Sequence, residues 1–69
     1  MSDNILKQAR NNKKVAEGHV EEALSRLRWI YVEYRETHPE FASHVLSVIM
    51  TLDACHHGIA ELRNHLNSL

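Results

Sequence analysis

Histidine is the residue type best placed to do chemistry in this sequence, with six copies in 69 residues: His19, His38, His44, His56, His57 and His65. Asp53, Cys55, His56 and His57 crowd one stretch, and all are metal-ligand types. On a helix, Asp53 with His56 or His57 forms an i, i+3 or i, i+4 pair, whereas the adjacent His56 and His57 point about 100° apart. A third and fourth ligand would have to come from another helix, and His19 is the nearest candidate. The spacing therefore favours a polar layer over a metal site, with Asp53 orienting one imidazole inside a dimer seam. Such a layer fixes register between helices and makes assembly sensitive to pH. Cys55 beside His56 and Asp53 has the residue types of a nucleophile set. Sequence neighbours on a helix do not face each other, however, so Cys55 reads as a buried structural thiol. No catalytic signature is present, so the chain is expected not to be an enzyme and to use neither metal nor cofactor.

The elements that must position these groups are helices. Phe41, Val45, Val48, Leu52, Cys55, Ile59, Leu62, Leu66 and Leu69 fall on a strict 4-3 spacing, which is a heptad seam. Beside it runs a second apolar row of Ala42, Leu46, Ile49 and Ala60, interrupted by Asp53 and His56. An arc this wide needs more than one covering neighbour. The only other helix available runs from about residue 3 to 36, with Ser2 or Asp3 as its N-cap. Its seam is Leu6, Ala9, Lys13, Ala16, Val20, Ala23, Leu27, Ile30 and Tyr34, with Lys13 the one misfit. The alanines let a partner helix approach closely.

The break is expected at residues 37–39. Pro39 disfavours helical geometry at His38 and suits the first turn of a second helix over about 39–67. Thr37 to Glu40 also matches a capping box, one residue out of step with that reading. A short turn makes the helices antiparallel, pairing positions whose numbers sum to about 76. Gly18 then faces Gly58, which signals either close backbone contact or a weak point in both helices. The fold expected over 1–69 is a single all-α domain, an antiparallel two-helix hairpin that homodimerises into a four-helix arrangement. The dimer/core seam would be Val45, Val48, Ile49, Leu52, Ile59, Leu62 and Leu66.

Composition agrees with this and narrows the function classes. A core of this size supplies ~3–5 kcal/mol and ordinarily needs a staple. One cysteine cannot make an internal disulfide, and it fits a reducing, cytoplasmic setting. Oligomerisation is the remaining route to stability. Two Gly and one Pro argue against an all-β fold, and a net charge of −1 gives no general pull toward nucleic acid or anionic membrane. No apolar run approaches the ~18 residues of a spanning helix, and the opening residues lack a signal-peptide pattern.

Two surfaces remain as binding candidates. Lys7, Arg10, Lys13 and Lys14 form a basic run near the start of helix one, where positive charge opposes the helix dipole. No aromatic platform interleaves with it and Glu17, Glu21 and Glu22 follow, so a solvated face is the favoured reading over RNA or DNA binding. The second surface comprises Glu22, Arg26, Arg28, Trp29, Val32 and Glu33, with Tyr31 nearby. Trp, Tyr and Arg are enriched in binding hot spots. Trp29 and Val32 lie off the seam, so Trp29 either covers the second row of helix two, packs in a dimer, or meets a different partner. Glu22–Arg26 is also a stabilising i, i+4 pair.

By length, two-helix plan and the character of the Arg26–Arg35 stretch, the whole chain resembles small phage-encoded quorum-sensing anti-activators. It is more distantly similar to plasmid copy-number RNA-binding hairpins that dimerise into four-helix bundles. The first resemblance implies a homodimer in the host cytoplasm that binds a LuxR-type transcription factor, blocks its DNA binding, and also binds the type IV pilus assembly ATPase. Glu22, Arg26, Arg28, Trp29, Tyr31 and Glu33 are the candidate partner-binding residues. The alternative is a small dimeric RNA- or DNA-binding hairpin that uses Lys7, Arg10, Lys13 and Lys14.

Overall fold

In a computed structural model describing residues 3–69, the chain forms two antiparallel helices, α1 (Asp3–Tyr34) and α2 (Pro39–Asn67). Of the two expected N-cap residues, Ser2 lies outside the described residues and Asp3 is described by its backbone alone. Helix one ends at Tyr34, two residues before its expected limit. The amides of Arg35 and His38 still reach back to the carbonyls of Tyr31 and Tyr34, at 2.9 and 2.8 Å. Pro39 marks the change of direction: His38 leaves the helical region, with φ −137° and ψ 70°, and the proline after it disfavours helical geometry there.

Pro39 is the first residue of α2, so of the two overlapping start signals the proline prevails. No side chain caps the helix. Thr37 Oγ1 sits 2.9 Å from the Nδ1 of His38 instead, and the capping box with Glu40 does not form. Across the turn, the Tyr34 ring meets those of His38 and Phe41 edge-on, with centroids 5.5 and 5.6 Å apart.

The dry core is small and lies near the turn. Leu24, Ala42, Val45 and Ile49 are the buried apolar residues among those described. Val20, Leu27, Ile30, Tyr31 and Leu52 pack against them, each partly buried. Helix one uses the expected seam, since every member from Leu6 to Ile30, Lys13 included, is partly buried. Leu24, adjacent to that seam, is buried deepest on α1, with 3% of its surface exposed.

Helix two departs from its expected seam by one residue. Val45, Leu52, Ile59 and Leu66 face inward, but their companions are Ala42, Ile49 and His56. The other half of the expected seam is exposed: Phe41, Val48, Leu62 and Leu69 by 46–73%, and Cys55 with them. The physical reason is that the shared row has a column on either side, and a single covering helix can occupy only one. No contact between Gly18 and Gly58 compensates their cost, because a Cβ on either would meet nothing within 4 Å. They are weak points in both helices.

Candidate functional site

The chemistry-bearing residues of α2 divide into separate pairs. His56 occupies an inward position between Leu52 and Ile59. Its Nε2 sits 3.3 Å from Glu21 Oε1 on α1, a contact whose numbers sum as an antiparallel hairpin about His38 requires. His57 points elsewhere, with Nε2 at 3.8 Å from Asp53 Oδ2 one turn before it. The two imidazole centroids are 6.4 Å apart. Among the described residues no group of three or more His, Cys, Asp or Glu side chains is placed to hold a metal ion. His19 and Cys55 are both exposed. The exposed thiol corrects the expectation of a buried Cys55, and the slip of one residue along α2 is the cause.

The basic run is partly committed within the chain. Lys13 Nζ donates to Glu17 Oε1. This bond, foremost, holds the Glu17 carboxyl below the usual carboxylate range, with smaller contributions from the nearby charges of His56 and Arg63. Lys7, Arg10 and Lys14 remain exposed. Arg10 and Lys13 share an open cleft with Arg63 and Leu66.

The second surface lies on the side of α1 remote from α2. Leu27 and Tyr31 point inward, and Trp29, two positions from each, is turned about 200° from both. Two-thirds of Trp29 is exposed, as is 59% of Val32. Trp29 therefore covers no row of α2. Beside it Arg26 Nη2 donates to Glu22 Oε1 at 3.2 Å. Glu22, Ser25, Arg26, Trp29 and Ile30 together line an open depression. Glu33, one turn beyond Trp29, falls on the same face. Arg28 is exposed on the flank. Tyr31 stands apart from these, its ring packed against the core cluster.

This arrangement is suited to binding. It offers a large flat aromatic, an aliphatic neighbour and a pre-formed charge pair on a stiff helix. Among the described residues, no helix is long and apolar enough to cross a membrane. No protein-family model, curated protein or solved structure matches the chain.

Proposed function

We propose that the chain is a non-enzymatic, protein-binding inhibitor that works as a homodimer of helical hairpins, four helices in all. The observation that carries the reading is Trp29: a tryptophan 66% exposed on the outward face of a helix, beside the Glu22–Arg26 pair. Leaving so much aromatic surface in water gives up ~2 kcal/mol or more of possible burial, and a partner protein is the natural place to recover it. Arg26 and Glu22 can exchange their mutual ion pair, worth little at an exposed site, for bonds to that partner. The dimer is supported by the exposed half of the α2 seam, which a second copy can cover.

The identity of the partner follows from the resemblance to quorum-sensing anti-activators. The chain binds a LuxR-type transcription factor through Glu22, Arg26, Trp29 and Glu33, with Arg28 at the margin, and occludes its DNA-binding function. The pilus assembly ATPase is the second target implied by the same resemblance. The test is a mobility-shift assay in which the chain releases a LuxR-type factor from its operator. Combining Trp29→Ala with Arg26→Ala should abolish release while helicity and dimer mass stay unchanged. Release that survives the double substitution assigns binding to another surface.

A further inference from the structure

The row Val45, Leu52, Ile59 and Leu66 has a column of residues on each side, and α1 covers the less apolar of the two. The column on the α1 side is Ala42, Ile49, His56 and, at its exposed end, Arg63, so two of its four members are polar. The column left in water is Phe41, Val48, Cys55, Leu62 and Leu69, and holds no charged or strongly polar residue. A surface law for folded monomers gives about 4,450 Å² for 8.0 kDa, whereas this chain exposes 5631 Å². The excess, about 1,200 Å², exceeds the roughly 800 Å² that each partner buries in a standard interface.

Cys55 is the middle member of the exposed column. Val48 and Leu62 lie one heptad either side of Cys55, and Phe41 and Leu69 two heptads either side. We infer that this column is the contact between two copies, with α2 crossing the partner's α2 antiparallel and the two-fold axis passing at Cys55. This deepens the dimer proposed above and rests on it. Phe41 then meets the partner's Leu69, Val48 meets the partner's Leu62, and Cys55 meets the partner's Cys55. A two-fold contact requires that reciprocity. A heptad column drifts ~20° per repeat around a straight helix, so two such columns touch best at one crossing point. The small thiol at the centre permits the closest approach there.

Charge selects the antiparallel direction over the parallel one. The turn end of the hairpin carries Glu33, Glu36 and Glu40 against Arg35, while the open end carries Lys7, Arg10, Lys14 and Arg63 against Glu61. Antiparallel copies place each acidic end beside the partner's basic end, whereas parallel copies set like against like. The same arrangement lays the bulky Phe41 end of one copy over the end of the other that has no fully buried residue.

Crosslinking with a short bismaleimide tests the geometry, since each thiol simply adds across a maleimide double bond. The unmodified protein should link through Cys55 alone, and Cys55→Ala should not link at all. In a Cys55→Ala background, Val48→Cys mixed with Leu62→Cys should give a covalent heterodimer at least fivefold more abundant than the product of Val48→Cys alone. In the antiparallel pairing the two Val48 levels stand about 21 Å apart along the axis. All these sites are exposed in the hairpin, so circular dichroism should show unchanged helicity. Sedimentation separates the two claims. A monomer at all concentrations refutes the dimer itself. A dimer in which Val48→Cys links to itself as readily as to Leu62→Cys refutes only the axis at Cys55.

Discussion

The two ends of the hairpin are held together differently. Around the turn, Leu24, Ala42, Val45 and Ile49 form a dry core, with Leu27, Tyr31 and Leu52 against it. Beyond His56, toward the chain ends, no described residue is buried. Ala9, Ala16, Ile59 and Leu66 are only half-covered, and the polar groups Lys13, Glu17 and Glu21 take over. Side-chain size explains the contrast. The seam of α1 is alanine-rich at its open end and leucine- and isoleucine-rich near the turn, so the same helix pairing encloses more apolar volume there. The lesson is that a continuous helical pattern need not give continuous stability. The open end should exchange its amides sooner than the turn end.

The strongest way to break the contrast is to remove the dry core. Ile49→Ala deletes buried volume and should cost about 2–4 kcal/mol, enough to melt the whole hairpin in a denaturant titration. The same change at Val48, one residue away but exposed, should leave the hairpin's own helicity nearly intact. Filling the weak points of the open end should act the other way. Gly18→Ala and Gly58→Ala each meet open space and should each raise stability by up to about 1 kcal/mol, read as a higher midpoint. If either destabilises, the backbones approach more closely than the open space around these glycines implies.

Extending the core past its limit comes next. His56 holds an inward position with its side chain 24% exposed. His56→Leu should stabilise by roughly 0.5–1 kcal/mol and slow amide exchange beyond that level. The bond to Glu21, which is mostly exposed, is little loss. The smallest effect is on acid sensitivity. Because the Lys13 bond depresses the Glu17 carboxyl in the folded chain, its contribution is present above the ordinary carboxyl value of 4.5. It is lost as pH falls through the lowered folded value. Glu17→Gln should flatten that part of the stability–pH curve and leave the curve above neutrality unchanged in shape.

The hairpin plan was legible in the residues. Pro39 after His38 located the turn, and the α1 seam emerged from Leu6 to Ile30, but its last expected member, Tyr34, is exposed and Leu24, outside the expected seam, is buried deepest. The side of α2 was not legible. Val45, Leu52, Ile59 and Leu66 belong to two overlapping heptads, and pattern alone ranks the one through Cys55 above the one through His56. For the candidate site, Trp29 was visible as off-seam, but the expected grouping included Tyr31, whose ring turned out to pack inward.

The sequence by itself determined two amphipathic helices, their break and their antiparallel sense, because these depend on local backbone sterics and on a period that neighbouring residues share. Tertiary packing decided which flank of α2 faces α1, and so which thiol, imidazole and aromatic rings meet solvent. A rotation of one residue about a helix axis leaves every local interaction intact and changes only which side chains meet those of the other helix.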